Sequence, residues 1–371
     1  MKEFLSNIES KLQPSVVKTI FSATLSFLRL KYHENTAPIF IRDGLDLKRV
    51  MITVYIALIP ATLMGIFNIG YQAYAQEPFQ YSSYFYLDCF LFGLKVFLPI
   101  YFVSFFVGSF FEVYFAYKRK HEINEGFLIT SLLFALTLPP TIALWQVALG
   151  ITFAIVFGKE IFGGTGKNLF NPALLGRAFL FFSYPSAMSG DKIWVVGDGV
   201  SGATVLGKLL THQDVLVNKM HAFVGLIPGS IGEVSKLACL LGAAYLIYRR
   251  IASYRIILGS LFGFLVVTML SVLLSKNTMM SFGSLHHFLY GSFCFATIFM
   301  ATDPVSAALT RTGQWIYGFC IGSLGIVIRI YNPAYPEGFM LAILFMNVFA
   351  PFIDFLILKK NISWRKRFYE K

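Results

Sequence analysis

The sequence predicts an all-α fold. It is a polytopic membrane helical bundle of about ten transmembrane helices, with an inverted internal repeat and both termini cytoplasmic. Three observations predict it. Of 371 residues, 56% are hydrophobic and only 13% charged, and the mean hydropathy is +0.66. A soluble domain carries about 25% charged residues, so the solvent around this chain is lipid. Apolar runs recur along the sequence, and a helical crossing takes roughly 20 such residues. The net charge of +12 sits at the ends of those runs. That is the membrane pattern; basic residues do not interleave with aromatics as on a nucleic-acid surface.

Taken in order, residues 1–49 are polar, amphipathic in places, and carry Lys2, Lys11, Lys18, Lys31, Lys48 and Arg49. They lack an apolar core followed by a cleavage site, so they read as a cytoplasmic segment and not as a signal peptide. The bundle occupies 50–358. Its apolar runs lie near 50–70, 88–116, 127–143, 145–158, 172–184, 235–248, 255–274, 287–301, 315–328 and 338–358. Residues 359–371 form a basic cytoplasmic tail. With both termini inside, the leader, Lys118-Arg119-Lys120, Lys159, Lys167, Arg249, Arg250, Arg255, Arg311 and the tail fall inside. Outside fall only Lys192, Lys208, Lys219, Lys276 and Arg329. Basic residues are retained in the cytoplasm, and this sets the loop 185–234 outside.

An internal repeat supports the same layout. "LTLPPTIALWQ" is followed by a short span and then by Asn171-Pro172-Ala173. "ATDPVSAALT" is followed by a short span and then by Asn332-Pro333-Ala334. Each Asn-Pro-Ala is expected to open a helix, with Pro in the first turn where its missing N–H costs nothing. An odd number of spans separates the copies, so they face opposite ways. Such repeats place ligand sites where broken helices meet.

Several short stretches are candidates for chemistry. Gly163-Gly164-Thr165-Gly166-Lys167-Asn168 fails as a phosphate loop, because Ile161 and Asn168 stand where that motif needs Gly and Ser or Thr. It reads as a glycine-rich re-entrant stretch, tolerated at membrane depth where it lines a cavity; a plain tight loop is the alternative. Asn168 and Asn171 flank it, and an amide offers both donor and acceptor to a ring edge. Ser201-Gly202-Ala203-Thr204 in the outer loop leaves a hydroxyl clear of bulky neighbours, though a helix cap explains it equally. Gly108 leaves room for a flat headgroup, with Glu112 one turn on; helix packing is the plainer reading. Glu112, Asp303 and Asp354 are carboxylates in or beside apolar spans, where a charge needs a cavity or a partner. Asp303 has a capping alternative, and Asp354 an ion pair with Lys359 or Lys360. Cys89, Cys239, Cys294 and Cys320 form no CxxC, and the histidines are not spaced as metal ligands.

Long blocks then carry a resemblance. "GKEIFGGTGKNLFNPALLGRAFLFFSYP", "SGDKIWVVGDGVSGAT", "IPGSIGEVSKLA", "MATDPVSAALT" and "IRIYNPAYPEGFMLAILFMNVFAPFID" resemble, in the same order, the B subunit of the Na+-translocating NADH:quinone oxidoreductase. The likeness runs through the whole chain. It implies FMN held on Thr204 by a phosphoester, with Ser201, Gly202 and Ala203 completing the motif. It also implies a second, non-covalent flavin, riboflavin, placed at Asn168, Asn171 and Thr130. Electrons would pass to ubiquinone, with Gly108 and Glu112 as the quinone candidates, and Na+ would follow a route through Asp303, Asp354 and Glu112. The implied setting is the bacterial inner membrane, in a six-subunit complex whose other members are the A, C, D, E and F subunits. NADH oxidation needs a dinucleotide domain and an iron–sulfur centre, which those partners would supply. Two rivals stay open. One is the D subunit of the Rnf-type ferredoxin:NAD+ reductase, a sister family usually lacking the Asn-Pro-Ala-Tyr-Pro-Glu wording. The other is a non-redox secondary transporter.

Overall fold

The computed structural model describes residues 47–74, 84–119, 126–190, 193–196, 204, 218–274, 283–332 and 338–369. Helix occurs in every apolar run expected to cross. The helices are α1 (Leu47–Tyr74), α2 (Phe85–Arg119), α3 (Gly126–Leu136), α4 (Leu144–Ile155, continued by a π turn Val156–Glu160) and α5 (Pro172–Ser183). The second half follows with α6 (Lys236–Tyr248), α7 (Tyr254–Leu273), α8 (Phe293–Phe295, continued by a π turn Ala296–Met300), α9 (Arg311–Tyr331) and α10 (Phe339–Tyr369). Of these, α1, α2, α7, α9 and α10 are long and apolar enough to cross a membrane. α2 has 35 residues and so extends about 52 Å, well beyond a hydrocarbon core of about 30 Å. α10 likewise continues past the expected end of the bundle, carrying Lys359 and Lys360 on a helix that runs to Tyr369.

The two spans expected at 127–143 and 287–301 are broken rather than continuous. α3 ends at Leu136, where the Thr137 N–H bonds to Leu133 and Phe134 carbonyls and Pro139-Pro140 can donate no further ladder bonds. Its 11 residues reach only about 16 Å. The equivalent stretch in the second half is a short helical turn, Ser284–Leu289, followed by α8.

The halves α1–α5 and α6–α10 share one packing pattern. α4 packs on α2 and α5, as α9 packs on α7 and α10. α1 against α6 and α5 against α10 join the halves. The start of α1 (Val50) and the end of α6 (Leu246) line the same cavity, as do the start of α3 (Gly126) and the end of α8 (Phe299). The halves are therefore inverted, as the sequence repeat predicts. The repeat is less regular at its Asn-Pro-Ala groups. Asn171 does cap α5, its Oδ1 accepting from the N–H groups of Ala173 and Leu174 with Pro172 in the first turn. Asn332 instead closes α9, donating its N–H to Ile328 O at 2.9 Å. The next helix starts only at Phe339, and 333–337 lie outside the described residues.

Small residues let backbones touch, which is how helices associate where lipid is as apolar as the side chains. A Cβ on Gly322 of α9 would lie 1.9 Å from Ser260 O of α7. A Cβ on Gly93 of α2 would lie 1.8 Å from Ile66 O of α1. Phe134, Phe295, Tyr317 and Phe339 fill the centre, almost wholly buried.

Candidate functional site

Two cavities open at opposite ends of α6. The first encloses about 740 Å³ of space, part of it open to solvent. Thr130, Thr165, Asn168, Asn171, Lys159 and Asp303 all line it. The three positions expected to hold riboflavin, far apart in part along the chain, thus meet in one place. Thr130 donates to Gly126 O at 3.1 Å. Asn168 Nδ2 donates to Phe170 O at 2.9 Å. Asn171 spends its oxygen on the cap of α5. Thr165 Oγ1 is buried and has no hydrogen-bond partner among the described residues. The loop reaches this geometry through Gly163, Gly164 and Gly166 at φ +114, +95 and +89, left-handed values that a side chain would strain.

Lys159 enters the cavity wall from the π turn of α4. Such a turn inserts one residue into the helix and re-aims the side chains after it. Lys159 is only 2% exposed and pairs with Glu112 of α2, itself 3% exposed. Beside it, Arg119 Nη1 donates to Glu160 Oε2 at 2.9 Å. Glu112 is therefore one half of a buried ion pair. Gly108 faces the same way, and the space a side chain would need there is already taken: a Cβ would meet Ile155 Cδ1 at 2.9 Å and Ser131 Oγ at 3.4 Å.

The other two acids act as local acceptors. Asp303 Oδ1 accepts from Val305 N at 3.3 Å and Oδ2 from Ser306 Oγ at 2.8 Å, which holds the turn after α8 against the cavity. Asp354 accepts from Leu309 N at 2.7 Å, Thr310 N at 3.0 Å and Thr310 Oγ1. It thereby braces Thr310, whose own hydroxyl caps α9 by accepting from Gly313 N, near the helix start where a carboxylate is favoured by the dipole; its bonds are to this turn and not to Lys359 or Lys360.

The second cavity, about 350 Å³ of space with open solvent included, lies where the loop into α6 meets the turn before α8. Thr204 lines it, half-buried, together with Ser230, Glu233, Lys236 and Tyr290. Ser201, Gly202 and Ala203 lie outside the described residues. Lys236 Nζ donates to Glu233 O and Gly291 O, each at 2.9 Å, and so stitches the two walls together. Glu233 accepts from Arg177 Nη1 at 2.5 Å, both side chains buried, and this pair joins α5 to the second half. Sequence reasoning singled out neither Arg177 nor Glu233. The signal was there: an arginine within the apolar run 172–184 needs a partner. Among the described residues no group of three or more His, Cys, Asp or Glu side chains stands ready to hold a metal ion.

Comparison with known proteins places relatives beside this geometry. The family model described as the NQR2, RnfD, RnfE family matches residues 35–363. The B subunit of the Na(+)-translocating NADH-quinone reductase of Stutzerimonas stutzeri (strain A1501) is 51% identical, covering 88% of this chain and 87% of the relative. That of Pseudoalteromonas atlantica is 50% identical over 89% of each chain. That of Neisseria meningitidis serogroup A is 45% identical, covering 99% of this chain and 98% of the relative.

Proposed function

The chain belongs to the NQR2, RnfD, RnfE family, and from that premise we propose that it is the flavin-carrying membrane subunit of a redox-driven Na+ pump. Its relatives are named for Na+ translocation and NADH-quinone reduction as one subunit of a complex. In this reading partner subunits of a bacterial inner-membrane complex oxidise NADH, and this subunit passes the electrons on to a quinone. Flavins supply the interconversion of two-electron and one-electron transfer.

The observation that carries the reading is the convergence of Thr130, Asn168, Asn171 and the unpartnered Thr165 hydroxyl on one cavity. An orphaned buried hydroxyl costs about 1–3 kcal/mol, which a hydrogen-bonding ligand would offset. Riboflavin would bind there, with its ring edge toward the two amides. FMN esterified to Thr204 would sit in the second cavity, between the two walls that Lys236 ties together. Among the three carboxylates proposed for the Na+ route, Asp303 faces the first cavity, Glu112 is paired to Lys159 behind it, and Asp354 stands at the adjoining end of α9.

The test is covalent flavin. The denatured subunit should fluoresce in a gel, and Thr204→Ala should abolish that signal while membrane insertion persists. Acid extraction of the native complex should separately release riboflavin, and Asn168→Leu with Asn171→Leu should reduce it while leaving the Thr204 flavin in place. Covalent flavin in Thr204→Ala would end the assignment. Dependence on ferredoxin in place of quinone would move the chain to the Rnf branch.

A further inference from the structure

We propose that Lys159 is the cation that sets the reduction potential of the ligand in the first cavity, with Glu112 as its counter-ion. The proposal rests on the reading that a flavin occupies that cavity.

Three observations converge on Lys159. The helix departs from α geometry over Val156–Glu160, and Lys159 is in that π turn. π turns cost regular hydrogen bonding and gather at functional sites. The side chain lines the cavity shared by Asn168, Asn171 and Thr165. Its ammonium is buried and meets Glu112 on α2. A buried ion pair is weak evidence for stability, since an apolar pair of similar volume often serves as well. A charge pair built into a cavity wall therefore asks for another reason.

Electrostatics supplies one. An electron reaching a bound ring adds one negative charge in a water-poor site. A fixed cation beside it favours the reduced form, and a nearby carboxylate opposes it. Lys159 and Glu112 act in opposite senses, so the pair itself is close to neutral before the electron arrives. Asp303 also lines the cavity, held by Val305 and Ser306; when ionised it opposes reduction as Glu112 does, so the favourable charge in the lining is that of Lys159. Arg119 is spent on Glu160.

The sign of the effect is the test. The purified complex is prepared with Lys159→Met, with Glu112→Gln and with both. Non-covalent flavin content is measured by extraction, and its midpoint potential by optical redox titration. Lys159→Met should lower the potential, and Glu112→Gln should raise it. Each shift should correspond to about a tenfold change in the preference for the reduced form, and the double variant should lie between. A structural role alone would move both single variants the same way or neither, and either result overturns the proposal with the flavin still present. Lys159→Met leaves Glu112 buried and unpaired. Should it fail to assemble, the double variant must still titrate below Glu112→Gln, and equal potentials refute the idea. A wild-type complex with no extractable flavin removes the underlying reading instead.

Discussion

The two broken spans occupy the same place in their halves yet are completed in different ways. After α3, the free carbonyls of Leu136 and Leu138 accept from Gly232 N at 2.7 Å and Ile231 N at 3.2 Å. The loop entering α6 thus satisfies the first break with backbone. After α8, the turn is held by the side chain of its own Asp303 and faces the cavity. Unsatisfied backbone at membrane depth costs several kcal/mol per group, so both breaks must be completed. The first is completed as architecture. The second leaves a carboxylate at a wall where a ligand or an ion can reach it. Mutations should follow that division, with stability lost around the first break and ion or ligand properties changed around the second.

The largest effect is expected at Arg177, whose pair with Glu233 secures the loop that completes the first break. Arg177→Ala leaves a buried carboxylate without its cation, and removing one member of such a pair costs about 3–5 kcal/mol. The unfolding midpoint in detergent should fall sharply. Arg177→Met combined with Glu233→Leu should recover most of the loss. A single variant as stable as the wild type would undo the division at its first step.

Next is Gly322, where α9 touches α7 by backbone. Alanine there meets Ser260 O, and a carbonyl on a packed helix has nowhere to go. Overpacking of this kind costs about 1–3 kcal/mol. Thermal unfolding should register it, while extractable flavin, proposed to bind at other residues, should stay as in the wild type.

How far the sequence foretold this picture differs by feature. The apolar helices were legible because lipid imposes a length and a composition on a span; five of the ten expected runs are helices long enough to cross, and the others are shorter. The inversion was legible from two similar turns an odd number of spans apart. Thr130, Asn168 and Asn171 were expected together by resemblance, and the fold does bring them to one cavity. Two things were not legible. Asn332 repeats the wording of Asn171 and yet ends a helix, because three residues do not decide what the chain does on either side of them. The partners of Glu112 and Asp354 were hidden too, since they come from α4 and from the turn before α9, contacts that only packing creates. An acid in an apolar run announces that it needs a partner; it does not say which.

The two carboxylates near the second break differ from each other by a smaller margin. Asp354→Ala removes three hydrogen bonds that brace Leu309 and the N-cap Thr310 at the start of α9, and an intramolecular hydrogen bond contributes about 0.5–1.5 kcal/mol. Asp303→Asn keeps an acceptor for Val305 and Ser306, so its stability should change by less. Its effect should appear instead as a higher Na+ concentration for half-maximal turnover. A larger shift in Na+ dependence at Asp354 than at Asp303, with more stability lost at Asp303, would exchange their roles.

The smallest effect is expected at Gly108, and it separates two readings of one residue. Gly108 and Gly322 are both helix glycines at packed faces, but their neighbours differ. At Gly108 the nearest atom to a new Cβ is the terminal Cδ1 of Ile155, at 2.9 Å, and a side-chain tip can turn aside. The cost should sit at the low end of overpacking, about 1 kcal/mol. Alanine gains a similar amount over glycine in a helix, roughly 0.8–1.0 kcal/mol. The two terms oppose each other, so Gly108→Ala should leave the unfolding midpoint almost unchanged. If Gly108 is a packing residue, the apparent KM for quinone should not move either. If a quinone headgroup rests on this face of α2, the same methyl would meet it, and KM should rise with stability and flavin content intact. Only the kinetic readout differs between the two readings, and the geometry around Ile155 and Ser131 favours an unchanged KM.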